Sequence, residues 1–183
     1  MIQYLDMTQT EGCIGVIPEN GETIVFTGVS VNSMPLSVKR EEGEAYDDFA
    51  QKYGIHFIFD DCIPEIDFYT VPKIEVAATD GDGGFIASVG EPFSLRDSVP
   101  LIYISAERKA YLITEDSRKF LSIASKWKEK LTPYDGISLY KSKEDARIEY
   151  QIVDFEQTEA YERHIEIFRS VYKELHADRE TGC

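Results

Sequence analysis

The chain has 183 residues, of which 43% are hydrophobic and 12% aromatic, and it carries a formal net charge of −15. This apolar content excludes intrinsic disorder, and the length suits one domain with its own core. The amino terminus lacks the basic start and apolar run of a secretory signal, and no apolar stretch approaches the roughly 18 residues that span a bilayer. Three widely spaced cysteines without a CxxC pair fit a reducing compartment. We therefore expect a single domain, residues 1–183, in the cytoplasm.

The negative charge is concentrated in the first half of the chain. Residues 1–97 hold 18 acidic and 5 basic side chains, whereas residues 98–183 hold 16 acidic and 14 basic ones. A surface of one sign repels nucleic acid and anionic lipid and speeds encounter with a basic protein. Plain solubility would also explain acidity, but it gives no reason for the acids to collect in one half. The distribution therefore predicts a basic protein partner, and neither nucleic acid nor a membrane.

A β-rich lead, residues 1–40, opens the chain. Residues 13–17 and 22–31 have strand-like composition, and the Asn20-Gly21 pair between them is typical of a tight turn. We expect these two runs to form a hairpin.

A short helix is predicted after this lead. Residues 39–43 are charged and are expected to form a loop. Tyr46, Phe49 and Tyr53 then recur at helical spacing, which gives one apolar face, and Gly54 is a typical residue at a helix end.

Strands dominate the middle of the chain. The runs that are rich in β-branched and aromatic residues are 55–59, 68–78 (interrupted by Pro72), 85–89, 99–105 and 110–114. A glycine-rich turn at residues 79–84 and a charged tip at 106–109 separate neighbouring runs. We expect hairpins at both places.

The carboxyl-terminal part contains helices and a further pair of strands. Asp116 is a plausible cap for a helix that extends to residue 131. In residues 132–183, the runs 136–140 and 146–153 suggest a strand pair, and a terminal helix follows Asp154. Because strands and helices are segregated along the chain, we expect an α+β fold: a mostly antiparallel, mixed sheet with helices packed on it.

The usual sequence motifs of catalysis are missing. The chain has no phosphate-binding glycine loop, no nucleophile elbow and no zinc-protease helix, and its three histidines are far apart in sequence. Asp80-Gly81-Asp82 begins like a calcium loop, but Gly84 and Phe85 stand where an oxygen ligand and a glycine are required. The prediction is a protein that is not an enzyme and has no cofactor. A metal-dependent hydrolase that uses Asp80 or Asp82 is an alternative.

The order of these elements resembles the SUKH superfamily, which includes yeast Smi/Knr-type regulators of cell-wall synthesis and many bacterial proteins. The resemblance lies within residues 44–131, in a helix that ends in Tyr-Gly, a glycine-rich turn after a strand, a proline-led hairpin and a closing helix. The segments that carry it are residues 45–55 (AYDDFAQKYGI), 69–72 (YTVP), 80–84 (DGDGG), 99–104 (VPLIYI), 111–113 (YLI) and 120–121 (FL).

The resemblance implies an α+β domain and the role of an immunity protein, which binds and neutralises a bacterial toxin, commonly a nuclease. It transfers no catalytic residue to this chain. The lead of 40 residues and the carboxyl-terminal extension depart from the family pattern. A regulatory or scaffold role in cell-wall or stress signalling, as in the yeast members, is the alternative within the same family.

The charge distribution and the resemblance converge on an acidic binding surface. Nuclease toxins are basic around the groove that holds nucleic acid, so acidic side chains can occupy that groove in place of phosphates. Aromatic side chains are the usual anchors of such an interface. The residues predicted to bind the partner are Glu41, Glu42, Glu44, Asp47, Asp48, Asp60 and Asp61, with Tyr46 and Tyr69 as aromatic anchors.

Overall fold

A computed structural model of the protein describes residues 2–8, 23–159, 161–163 and 165–166. Within these residues the helices and strands in chain order are β1 (Ile2–Asp6), β2 (Thr23–Thr27), β3 (Val29–Val31), α1 (Leu36–Tyr53), β4 (His56–Phe57), β5 (Tyr69–Val71), β6 (Ile74–Thr79), β7 (Phe85–Val89), β8 (Leu101–Ile104), β9 (Ala110–Thr114), α2 (Phe120–Ile123), β10 (Thr132–Pro133), β11 (Ser138–Tyr140), α3 (Lys143–Ala146) and β12 (Ile152–Asp154). Turns of 3₁₀ helix cover Ser117–Lys119, Ala124–Lys130 and Phe155–Gln157.

The largest sheet has the strand order β10-β9-β8-β7-β6-β3, and β4 also pairs with β6. Neighbours from β10 to β6 are antiparallel, as are β4 and β6, whereas β3 runs parallel to β6. Hairpins join β6 to β7 and β8 to β9, at the glycine-rich turn and at the charged tip. The expected α+β fold with a mostly antiparallel, mixed sheet is confirmed.

The central strands of this sheet are buried on both faces. Successive side chains of a strand point to opposite faces, and the two faces belong to two different hydrophobic clusters. Phe85 and Ala87 lie in one cluster, whereas Ile86 lies in the other. The second cluster is closed by Phe120 and Trp127 from the segment that contains α2. These apolar runs without polar alternation are what a sheet covered on both sides requires.

Two smaller sheets complete the structure. One has the order β12-β1-β2 with all neighbours parallel, and the other pairs β11 with β5. The chain passes from the parallel sheet to the large one at Gly28, whose φ of 105° favours glycine. A Cβ at this position would lie 2.3 Å from the Thr8 hydroxyl oxygen, so the close approach also requires glycine.

The amino-terminal hairpin is replaced by a different pairing. Within the second predicted run, residues 23–31 do form strands, but as β2 and β3 in separate sheets. β2 pairs with β1 in parallel, a partner that the sequence did not suggest. The predicted strand 13–17 and the turn at Asn20-Gly21 lie outside the described residues.

The loop predicted at residues 39–43 is wrong, and so is the boundary of the lead at residue 40. α1 begins at Leu36, directly after Pro35, and runs through this charged stretch to an end at Gly54, whose φ is 65°. The stretch is helical because proline is favoured at a helix start and charged side chains can stay in solvent along the outer face.

The predictions for the carboxyl-terminal part are corrected in two places. Residues 146–153 do not form one strand. The Ser142 hydroxyl accepts a hydrogen bond from the Asp145 N–H at 3.2 Å and starts α3, which ends at Ala146, and β12 begins only at Ile152. The strand pair of residues 132–183 therefore does not form: β11 pairs with β5, and β12 pairs with β1. The helix after Asp116 is also divided, with 3₁₀ turns on both sides of α2 and a break at Lys126.

The terminal helix starts later than the sequence indicated. Asp154 makes no capping bond, and the Thr158 hydroxyl instead accepts from the Tyr161 N–H at 3.2 Å. Residues 167–183, which belong to the predicted terminal helix and the end of the chain, lie outside the described residues. No helix in the described part of the chain is both long and apolar enough to cross a membrane.

Candidate functional site

α1 carries most of the predicted partner-binding residues, and it divides them between two faces. Glu41, Glu44 and Asp48 follow each other at spacings of three and four residues, and Asp47 lies beside this row. All four side chains are exposed. We call these four residues the outer acidic face. It points away from the large sheet, since the apolar side chains of α1 contact the sheet from the opposite side.

The acids of this face make no salt bridge with the described residues, although three basic residues share the helix. Lys39 pairs with Asp61 instead, at 2.7 Å. The Arg40 Nε donates to the Leu36 carbonyl at 3.3 Å, and the Lys52 ammonium lies 5.1 Å from the centre of the Tyr53 ring. The outer acidic face is therefore uncompensated by close partners within the described chain.

Asp60 and Asp61 are exposed in the loop after β4, beside the first half of α1. The Asp60 carboxylate accepts a hydrogen bond from the Ser33 hydroxyl at 2.6 Å. Asp61 accepts from the Lys39 ammonium, and this hydrogen bond raises the pKa of Lys39. Asp61 thus holds the loop against α1 and Asp60 holds it against Ser33, so both predicted partner-binding acids are already engaged within the chain and are less free for a partner.

The two aromatic anchors have different surroundings. Tyr46 is half-buried and packs edge-on against the rings of Phe57 and Phe59, with centroids 5.6 and 5.5 Å away. Tyr69 is 5% exposed, and its hydroxyl lies 2.7 Å from the Thr27 hydroxyl and 2.9 Å from Asp6. The prediction of Tyr69 as a surface anchor is wrong, because both its ring and its hydroxyl are engaged in the interior.

A groove of about 370 Å³ separates α1 from the large sheet. Its walls are the half-buried side chains of Phe49 on α1, Phe57 on β4, and Phe93 and Leu95 in the loop before β8, and Ala77 of β6 also lines it. No residue of α1 is fully buried. The helix therefore leaves part of its apolar face, and part of the second hydrophobic cluster, uncovered by the described residues.

The rim of the groove combines one acid with exposed small and apolar side chains. Glu42, Ala45 and Leu121 line it and are exposed, Leu121 by 59%. Glu42 precedes Tyr46 and Phe49 by four and seven residues, so it points to the groove side of α1. Among the predicted partner-binding acids, Glu42 is thus the one that lines the groove and does not belong to the outer acidic face.

The sequence did not reveal the groove, because its residues come from segments that are far apart along the chain. Met34, Phe49, Phe93 and Leu121 have no common spacing or motif. The only indication of the groove in the sequence is that Glu42 interrupts the apolar face of α1 with an acidic side chain.

Asp80, the first acid of the calcium-like turn, has a structural role. Its side chain is 2% exposed, and its carboxylate accepts hydrogen bonds from the N–H groups of Asp82 and Gly84 at 2.9 and 2.8 Å and from the Tyr103 hydroxyl at 2.7 Å. Lys128 lies 3.4 Å away. Burial would raise the pKa of Asp80, but these bonds outweigh burial and lower it. The carboxylate thus fixes the turn between β6 and β7.

We expect Asp80→Ala to lower the free energy of unfolding by about 2–3 kcal/mol, because it leaves the Tyr103 hydroxyl and two N–H groups without their acceptor. The matched control is Asp82→Ala, which removes an exposed carboxylate from the same turn and should change stability by less than about 0.5 kcal/mol. Urea unfolding of both variants measures the difference. Equal effects would contradict the structural role of Asp80, and a stabilisation by millimolar calcium that both variants lose would instead support a metal site.

A second buried carboxylate, Asp6, lies at the end of β1. Its oxygens accept hydrogen bonds from the Thr8 hydroxyl at 2.6 Å, the Tyr69 hydroxyl at 2.9 Å and the Lys143 ammonium at 2.6 Å. Lys143 also pairs with Asp154 of β12. The Asp6 carboxylate is the common acceptor of this network, which joins the parallel sheet to β5 and α3. Because the Asp6 carboxylate is buried and already accepts hydrogen bonds from three side chains, we interpret the network as one that stabilises the fold and not as a reactive centre.

In the part of the chain that the structure describes, no three or more His, Cys, Asp or Glu side chains are grouped so that they could hold a metal ion. The candidate functional site is therefore the outer acidic face together with the adjoining groove. Comparison of the chain with known proteins found no relative: no family model, no curated protein and no solved structure matches it.

Proposed function

We propose that this chain is a non-catalytic binding protein of the cytoplasm that engages a basic protein partner through the outer acidic face of α1. The observation that carries the proposal is that four exposed acids occupy one side of a helix and make no salt bridge with the described residues. Exposed carboxylates without a salt-bridge partner contribute to an attractive field that accelerates the approach of a basic protein.

The partner class follows from the charge and from the sequence resemblance. The resemblance to the SUKH superfamily suggests an immunity protein, and a toxin that cleaves nucleic acid must carry a basic groove for phosphates. A row of carboxylates on a rigid helix can fill such a groove, since it presents negative charge at regular intervals. We therefore propose a nuclease-type toxin as the partner, with Asp60 and Asp61 at the edge of the contact.

Capture of the partner from a lysate of the native organism tests this proposal. The baits are the wild-type chain, a variant with Glu41, Glu44, Asp47 and Asp48 all changed to Lys, and a control with Glu129, Asp135, Glu144 and Glu156 changed to Lys. Both variants change the net charge equally, and the control residues are exposed and lie outside α1. We expect the wild type and the control, but not the α1 variant, to retain a basic protein that degrades nucleic acid and is inhibited by the chain.

Two outcomes would contradict the proposal. If all three baits retain the same protein, the outer acidic face is not the binding surface. If the retained protein is a kinase or a cell-wall enzyme with no activity on nucleic acid, the chain is a regulator of the Smi/Knr type instead.

A further inference from the structure

The groove between α1 and the large sheet has the size and lining of a binding site. At about 370 Å³ it is well above the roughly 150 Å³ that accommodates a benzene-sized ring in a protein interior. Its walls are mainly the side chains of Phe49, Phe57, Phe93 and Leu95, which remain half-buried because the described residues leave the space between them open. Filling it with an apolar group would remove these side chains from water, which is favourable.

The charge at the rim selects among apolar ligands. Glu42 lines the groove and makes no salt bridge with any described residue, and no lysine or arginine of the described chain lines it. A fatty acid or a phosphate-bearing ligand would place its negative charge next to this carboxylate. An apolar group joined to a positive charge is favoured instead, since both parts then have a complementary contact.

The position of the groove indicates that this apolar cation belongs to a protein. Glu41 and Glu42 are consecutive residues of α1, and Glu41 belongs to the outer acidic face whereas Glu42 lines the groove. The same helix therefore presents the outer acidic face on one side and the groove on the other. Protein interfaces concentrate their binding energy in a few large apolar or arginine side chains that enter a pocket, with charged residues around them. The groove supplies such a pocket within reach of the acids.

We propose that the groove receives an apolar side chain of the partner, Trp, Phe or Leu, next to a Lys or Arg that pairs with Glu42. This inference rests on the proposed function for the identity of the partner, but its chemistry can be tested without that partner. The apolar anchor would account for the lifetime of the complex, and the outer acidic face for the rate at which it forms.

Selection from a phage-displayed library of randomised twelve-residue peptides, with the whole chain as bait, tests this inference. We expect the enriched peptides to combine Trp, Phe or Leu with a nearby Lys or Arg. A resynthesised peptide should bind about tenfold more weakly to Ala45→Trp, which fills the groove from an exposed position. It should bind about threefold more weakly to Glu42→Gln, which removes the rim charge.

The matched control is Glu129→Gln, the same substitution at an exposed acid that lies outside α1 and does not line the groove, and it should leave peptide affinity unchanged. Circular dichroism checks that Ala45→Trp folds. If it does not fold, the comparison of Glu42→Gln with its control still tests whether the rim charge contributes to peptide binding. The inference is overturned if the enriched peptides lack a cation or an apolar residue, if none is enriched, or if Glu42→Gln and Glu129→Gln act alike. These results do not depend on whether a toxin is captured, so the groove and the proposed function can fail separately.

Discussion

Replacing Asp6 by alanine is expected to lower the free energy of unfolding by about 3 kcal/mol. The Asp6 side chain is 3% exposed, and its loss would leave the Tyr69 and Thr8 hydroxyls without their acceptor and Lys143 with Asp154 as its remaining partner. Because the network joins β1, β5, α3 and β12, the substitution weakens contacts between segments that are far apart in sequence. Urea unfolding of the full chain measures the effect.

The same network predicts how stability depends on pH. Burial would raise the pKa of Asp6, but hydrogen bonds from Lys143, Thr8 and Tyr69 outweigh it and hold the pKa below its ordinary value of 3.8. A carboxyl with a lowered folded pKa contributes stability that is complete above its unfolded pKa and is lost as the pH falls through the folded value. The difference between the wild type and Asp6→Ala should therefore be constant well above 3.8 and shrink below it.

An exposed acid serves as the control for this prediction. Asp135→Ala removes a carboxylate from the surface and should change stability by less than about 0.5 kcal/mol. If Asp6→Ala were no more destabilising than Asp135→Ala, or if its deficit were unchanged at pH values well below 3.8, the network would not contribute to stability as described.

The parts of the fold that the sequence predicted correctly depend on local chemistry. Gly81 and Gly83, which have positive φ, allow the turn between β6 and β7. The side chain of Asp116 caps its 3₁₀ turn by accepting from the Arg118 N–H. Gly54 ends α1 with a left-handed backbone. Each of these features needs a few neighbouring residues, so a short window of sequence is enough to predict it.

The errors arose where distant segments decide the structure. β12 pairs with β1 although some 150 residues separate them, and no local pattern reports such a parallel partner. The charge of residues 39–43 predicts a loop when the sequence is considered alone, yet a helix that lies on the surface needs charged residues on its outer side. Tyrosine is a residue type that often anchors protein interfaces, so the sequence favours an exposed Tyr69. Its burial is decided by hydrogen bonds to Asp6 and Thr27, which come from two other strands.

The candidate site, like the fold, could be predicted from the sequence only in its local features. The acids of α1 were visible as a cluster in the sequence, but their division between the outer face and the groove required knowledge of where the helix begins and which side meets the sheet. The groove itself depends on the tertiary positions of Phe57, Phe93 and Leu121. Sequence alone therefore predicted the charge of the site but not its shape.

Reversing the outer acidic face is expected to slow association with the basic partner about tenfold or more at low ionic strength, because long-range attraction raises the rate of encounter. The structure favours Glu41, Glu44, Asp47 and Asp48 for this test. Asp60 and Asp61 are less suitable, since Ser33 and Lys39 bind them and their reversal would also disturb the loop after β4.

The most direct test of a binding role for the outer acidic face is the association rate constant with the captured partner, measured by stopped flow at several salt concentrations. The α1 variant should associate about tenfold or more slowly than the control variant with the same net charge, and the difference should shrink as salt screens the charges. Equal rates for the two variants, or a wild-type rate that does not fall with salt, would contradict a role for this face in binding.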